Sequence, residues 1–280
     1  MIFQQIQQHY PGLSKSHRKV ADFIMQNVDK AAFMTAAAIG ATVGVSESTV
    51  VRFAAVAGYG GYPQLQKYLQ DMIRSSLTSV QRLQAADVKL GSREDKILDR
   101  TMAADAELIR RTLEQTDREA FAAVVQAIAQ ARRIYIQGTR SSAALAHFLA
   151  LYLNILHPDV VHVDASSAEQ MMRIGEQDMC IAISFPRYSE RTLSALRFAR
   201  DRGATTVAIT DAPQSPIAQV SEHVLLAACD AASFVDSLVA PLSLINALLA
   251  ACARSQGDEV LQTLHELEDI WAQYDVYAAQ

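Results

Sequence analysis

Residues 35–58 read TAAAIGATVGVSESTVVRFAAVAG, and their pattern predicts two short helices, 35–42 and 46–57, joined by a turn at Val43-Gly44-Val45. Gly44 supplies the left-handed backbone such a turn needs. Ala38 is small where the helices are expected to cross, and Ile39, Val45, Val50 and Phe53 are the apolar contacts between them. Ser46 is a natural N-cap. The second helix then presents Glu47, Ser48, Thr49 and Arg52 on the half that, in a recognition helix, reaches base edges in the major groove. Hydroxyls bond phosphates or bases, an arginine forks to guanine or neutralises phosphate, and a helix N-terminus favours phosphate. An ordinary helical hairpin with a serine cap has the same spacing, so both readings stand at this level. Lys15, Arg18, Lys19 and Lys67 are likewise either clamps on a nucleic-acid backbone or solvated charges.

Outward from this stretch, residues 1–74 carry short helical patterns and no strand pattern; Val20, Phe23, Ile24 and Val28 recur at helical spacing. Residues 75–92 are more polar and weakly periodic. A helix is expected from about Ser92 to Glu114, and a capping box of Thr116 and Glu119 is expected to open a second one ending near Ala131. From residue 133 the texture changes. The runs RIYIQG (133–138), VVHVD (160–164), MCIAIS (179–184), TTVAIT (205–210) and HVLLAA (223–228) read as strands, most of them separated by helical segments. Such alternation implies a parallel sheet sandwiched by helices. Residues 232–273 read as two helices broken at Gly257. The expected organisation is an all-α helix-turn-helix domain over 1–77, a linker over 78–92, and an α/β domain over 93–280.

The chain's 280 residues fit about two domains of ordinary size, and 50% apolar with 20% charged residues is ordinary globular composition. The formal net charge of −5 hides an asymmetry: residues 1–80 hold seven Lys/Arg against four Asp/Glu, +3, leaving −8 for the remainder. A basic head on an acidic body fits one end that meets phosphate. Cys180, Cys229 and Cys252 lie far apart in apolar runs and read as reduced core cysteines; with no Cys/His cluster, neither a metal nor another cofactor is expected. The opening MIFQQIQQHY lacks a basic region and a long apolar run, and Ser243 and Asn246 interrupt the stretch Leu238–Ala253. A cytoplasmic protein without membrane attachment is expected.

The segments LSKSHRKVADFIMQN and VGVSESTVVRFAAVAGYGGYPQLQKYL resemble the N-terminal domain of RpiR/MurR-type transcriptional regulators: a leucine-serine opening, a "VSE-TV-RF" reading helix and a G-[YF]-x-G-[YF]-P turn. The resemblance implies a helix-turn-helix that reads a double-stranded DNA operator with helix 46–57, and a Gly58–Pro63 turn beside the DNA backbone. It also implies a C-terminal sugar isomerase (SIS) domain, which residues ~130–230 resemble. The family's G-x-G-x-S loop stands here as Gly138-Thr139-Arg140-Ser141-Ser142. Opening a helix, such a loop offers backbone N–H groups and a hydroxyl to an anion. Arg140 in place of the second glycine adds charge and narrows the room. The family's S-x-S-G-x-[ST] loop stands as Ser184-Phe185-Pro186-Arg187-Tyr188-Ser189, with Pro-Arg for Ser-Gly. Pro186 lacks an N–H, and Arg187 offers a bidentate grip on carboxylate or phosphate instead. Ser215-Pro216-Ile217-Ala218 matches a third segment and reads as a helix start.

All these loops follow predicted strand ends, where open α/β sheets bind ligands. The expectation is a small anionic effector, a sugar phosphate or sugar acid, and the resemblance implies a homodimer or homotetramer whose paired heads address a palindromic operator. The alternative is a SIS-fold sugar-phosphate isomerase-type enzyme with a helical assembly module. That chemistry needs an acid/base residue, and the candidates Glu169, Glu190, His147, His162 and His223 form no convincing pair, so no catalytic residue is assigned.

Overall fold

A computed structural model describes residues 6, 10–76, 80–83, 94–164, 167–230 and 234–277. The chain divides into two compact units, 1–82 and 83–280. Most of the expected linker, 78–92, lies outside the described residues.

The first unit is helical: α1 (Lys15–Gln26), α2 (Val28–Ala31), α3 (Ala36–Val43), α4 (Glu47–Val56) and α5 (Tyr62–Ser76). Side-chain caps start three of them. Ser14 Oγ accepts from His17 N at 3.2 Å, Thr35 Oγ1 from Ala38 N at 3.1 Å and Ser46 Oγ from Thr49 N at 3.3 Å. Gly44 ends α3 in left-handed backbone at φ 69°, and α3 and α4 meet at 105°, within the ~90–120° of helix-turn-helix units. Ile39, Val50 and Phe53 are buried between them, with Val45 packed at the edge. The close approach falls at Gly40, not at Ala38, which is only partly buried. A Cβ on Gly40 would stand 2.8 Å from the Val45 carbonyl oxygen, so only glycine lets the start of α4 pass this near. Helix α5 fastens the α2–α3 loop with side chains spaced four apart on one face. Tyr62 Oη and Gln66 Nε2 donate to Met34 O at 2.5 and 2.8 Å, and Gln70 Nε2 donates to Ala32 O at 2.9 Å. Burial raises the Tyr62 phenol to about 12, which keeps that donor protonated.

In the second unit, α6 (Glu94–Gln115) and α7 (Arg118–Gln130) precede β1 (Ile134–Gly138), α8 (Ser142–Leu156), β2 (Val160–Val163), α9 (Ser167–Met171), β3 (Met179–Ile183), α10 (Glu190–Asp201), β4 (Thr205–Thr210), β5 (His223–Leu226), α11 (Val239–Gln256) and α12 (Asp258–Gln273). The expected cap of α7 is corrected. Thr116 Oγ1 donates back to Thr112 O, which leaves Asp117 to cap: its Oδ1 accepts from Glu119 N at 2.8 Å and Ala120 N at 3.1 Å.

The five strands are all parallel, in the order β2-β1-β3-β4-β5. β1 and β3 are buried throughout and β4 nearly so, while β2 and β5 form the half-exposed edges. Alternation sends Ile134 and Ile136 to the face covered by α7, α8 and α11, and Tyr135 to the face covered by α9 and α10. At the N-terminal strand ends, Arg132 grips Asp178 with two bonds of 2.9 Å. The opposite, C-terminal ends carry the loops of interest. Cys180 and Cys252 are buried core thiols, raised by burial to about 12 and about 11. Among the described residues no single helix is long and apolar enough to cross a membrane, and no cluster of His, Cys, Asp and Glu could hold a metal ion.

Candidate functional site

The strand order reverses direction between β1 and β3. Chain leaving β1 returns through α8 to one side, and chain leaving β3 returns through α10 to the other. The two crossovers part at this point and leave a crevice above the C-terminal strand ends. A cleft of about 540 Å³ lies there, lined by Gly138, Thr139, Arg140 and Ala143 from the β1 loop and α8, His162, Val163 and Asp164 from the end of β2, and Ser189 and Arg191 from the start of α10. Of the loop residues singled out in the sequence, Gly138, Thr139, Arg140 and Ser189 stand on its wall. Ser141, the N-cap of α8, and Ser142, its buried first residue, are not among the lining residues, and Ser184, Arg187 and Tyr188 belong to the β3 loop away from the lining.

The β1 loop is tight because Gly138 has no side chain. A Cβ there would stand 2.5 Å from the Ser142 carbonyl oxygen and 2.9 Å from Ala146 Cβ. Thr139 Oγ1 bridges to Thr192 Oγ1 of α10 at 3.2 Å. Arg140 is in left-handed backbone, φ 56°, and exposed. Ser141 starts α8 in helical geometry and makes no side-chain cap bond; Ala143 N and Ala144 N instead donate to Arg140 O at 3.1 Å and Ser141 O at 3.3 Å, at the positive end of the helix dipole.

The β3 loop is built otherwise. Arg187 is also left-handed, φ 64°, but Ser189 Oγ caps α10 by accepting from Thr192 N at 3.3 Å, Ser184 Oγ accepts from Ser189 N at 3.2 Å, and Tyr188 Oη donates to Asp211 Oδ1 at 2.8 Å. Ser215 likewise serves the fold: its Oγ accepts from Ala218 N at 3.2 Å.

Five cleft residues escaped the sequence reading as ligand contacts: Ala143, His162, Val163, Asp164 and Arg191. Arg191 Nη2 reaches across to Asp164 O at 3.4 Å. His162 lies edge-on to His147 of α8, ring centroids 5.5 Å apart, and burial together with that neighbour lowers its pKa, favouring the neutral ring. The other acid/base candidates do not join this histidine pair. Glu190 pairs with Arg197 at 3.7 Å, His223 sits 3.8 Å from Glu222, and Glu169 is exposed on α9.

In the first unit, α4 turns Glu47, Ser48, Val51 and Arg52 outward, all exposed. Ser46 Oγ lies 2.9 Å from both Ser48 Oγ and Thr49 Oγ1, and Arg52 Nε donates to Ser48 O at 3.2 Å. The arginine thus lies back along its own helix. Lys15, Arg18 and Lys19 are exposed on α1 and Lys67 on α5. Arg18 Nη2 donates to Pro11 O at 2.9 Å, and Lys19 Nζ comes within reach of the turn at Gly44.

Comparison with known proteins joins the two units. A model described as the helix-turn-helix domain of the rpiR family matches residues 1–76, and one described as the SIS domain matches 127–251. The sugar isomerase domain of an RpiR transcription factor from Sphaerobacter thermophilus is 32% identical, with a TM-score of 0.59, over 62% of this chain and 99% of that one. The HTH-type transcriptional regulator HexR of Escherichia coli K12 is 27% identical over 96% of this chain and 93% of its own length. NanR of Vibrio vulnificus, solved with ManNAc-6P, shares the fold at a TM-score of 0.62 and 22% identity, each chain covered fully. With a helix-turn-helix of the rpiR type ahead of a SIS fold, this chain belongs to the RpiR family of transcriptional regulators.

Proposed function

We propose that this regulator reads operator DNA with α4 and senses a phosphosugar in the cleft between the β1 loop and the starts of α8 and α10. In this reading Ser46, Glu47, Ser48, Thr49 and Arg52 meet base edges and the nearest phosphates, while Lys15, Arg18 and Lys67 hold the DNA backbone. The phosphate sits at the start of α8 against Gly138–Ser142, with Arg140 and Arg191 completing its charge. Ser184, Arg187, Tyr188 and Ser189 form the second loop that closes on the ligand. The observation that carries the reading is the start of α8: a 15-residue helix opening without a side-chain cap onto the crevice at the strand-order reversal, beside an exposed arginine. A helix start of this kind favours anions. NanR, of the same fold, was solved with a sugar phosphate, which supports the class of ligand.

The protein acts as a homodimer or homotetramer inside the cell, where two heads address a palindromic site with half-sites spaced by whole helical turns. Ligand shifts DNA affinity only to the extent that it prefers one arrangement of the heads.

The test is thermal unfolding of the full chain with sugar phosphates, sugar acids and small carboxylates, alongside footprinting on DNA adjoining its own gene. A ligand at 100 times its Kd adds about 2.7 kcal/mol, a shift of a few degrees. Stabilisation by a sugar phosphate that also changes the footprint is the expected result. Stabilisation by carboxylates alone would replace the phosphosugar with a sugar acid, and a footprint indifferent to every stabilising ligand would remove the sensing role.

A further inference from the structure

The cleft is larger than a phosphate needs. At about 540 Å³ it is within the ~300–1,000 Å³ range of pockets that enclose whole small molecules. Its basic groups, Arg140 and Arg191, stand on the α8 and α10 sides, whereas the β2 side is walled by His162, Val163 and Asp164. His162 is the unusual member. Its register partner on β1 is Ile136, so it shares the sheet face covered by α8 and meets His147 edge-on at 73°. His162 lines the cleft, and its Nε2 is buried without a hydrogen-bond partner among the described residues. A buried polar atom left unpaired forfeits its hydration with nothing in return. Native structures keep such atoms where a ligand or water completes them. A neutral imidazole offers one N–H donor and one bare nitrogen acceptor, a set suited to a hydroxyl or carbonyl and poorly suited to gripping a phosphate dianion.

We infer that His162 is a specificity-determining residue, which recognises a hydroxyl or carbonyl on the uncharged carbon chain of the effector. This rests on the phosphosugar reading and narrows it. The effector extends from an anion at the start of α8 to polar, uncharged groups beside β2, and a bare phosphate fills only one end of the site. Binding draws the His162 ring into a hydrogen bond with the ligand.

The experiment compares the full-length protein with His162→Phe and His162→Gln, using inorganic phosphate, glycerol 3-phosphate, glucose 6-phosphate, 6-phosphogluconate and N-acetylmannosamine 6-phosphate as probes in thermal unfolding and calorimetry. Phenylalanine keeps the edge contact with His147 and removes both nitrogens; glutamine keeps a donor and an acceptor and removes the ring. In the wild type, at least one sugar phosphate is expected to bind 100-fold or more tightly than inorganic phosphate. His162→Phe should lose about tenfold of that preference with inorganic phosphate unchanged, and His162→Gln should regain part of it. A Phe variant that binds the preferred sugar phosphate like wild type overturns this inference and leaves the phosphosugar reading intact. Should the Phe variant not fold, a Gln variant that shows no preference for the sugar phosphate overturns it instead. If no sugar phosphate stabilises the wild type, the phosphosugar reading falls and takes this inference with it.

Discussion

The loops that leave β1 and β3 begin alike and finish differently. Both turn a buried strand into a long helix at the strand-order reversal, and both hold an arginine in left-handed backbone, at φ 56° and 64°. The β3 loop spends its hydroxyls on itself: Ser189 caps α10 and Ser184 accepts from Ser189 N. The β1 loop makes no side-chain cap for α8 and borders the cleft along Gly138, Thr139 and Arg140. A serine after a strand is therefore not by itself a ligand contact; what matters is whether its hydroxyl is already engaged by the fold.

This contrast can be broken at four depths. The largest effect belongs to Gly138→Ala, whose Cβ meets backbone of α8 at 2.5 Å. It should cost roughly 1–3 kcal/mol, read as a drop in Tm with loss of effector binding. Gly175→Ala, with nothing within 4 Å of the added carbon, should leave both unchanged. Next comes charge. Arg140→Ala should weaken effector binding about tenfold or more, since hydrogen bonds to charged groups are worth ~1.5–3 kcal/mol. Arg187→Ala should reduce the ligand response by a smaller factor in the same titration, and equal losses would show that the two loops grip alike. Third, Arg140→Gly and Arg187→Gly should each gain about 1 kcal/mol in denaturant unfolding by relieving left-handed strain. A loss at either site would mean that its side chain holds the fold. The smallest contrast is between caps. Ser189→Ala should cost about 1 kcal/mol, whereas Ser141→Ala, whose hydroxyl caps nothing, should be neutral in the same unfolding curves.

The fold was legible where hydrophobic periodicity decides. The five β-rich runs became the five strands within a residue or two at their ends, and the stretch 35–58 became α3, its left-handed turn and α4. What periodicity does not carry is which of two adjacent cap candidates wins, or which small residue takes the crossing. Thr116 lost to Asp117 because its hydroxyl was already drawn to Thr112 O, and Gly40 rather than Ala38 faces the α4 start because the contact is with backbone. The site was half legible for a related reason. Loops after β1 and β3 announce themselves by residue type and by family resemblance. The wall formed by His162 and Asp164 depends on β2 lying beside β1, a neighbour relation no local pattern records. Arg191 in the first turn of α10 reads like any solvated helix charge until the cleft beside it is seen.

The left-handed arginines carry a genetic consequence. At both positions the family resemblance supplies glycine, and glycine codons of the form GGN become arginine codons CGN by one base change. A loop conformation that tolerates the larger residue at a cost near 1 kcal/mol lets a lineage add or withdraw a positive charge in either loop in a single step. The charge of these two loops can then drift quickly while the sheet beneath them stays fixed.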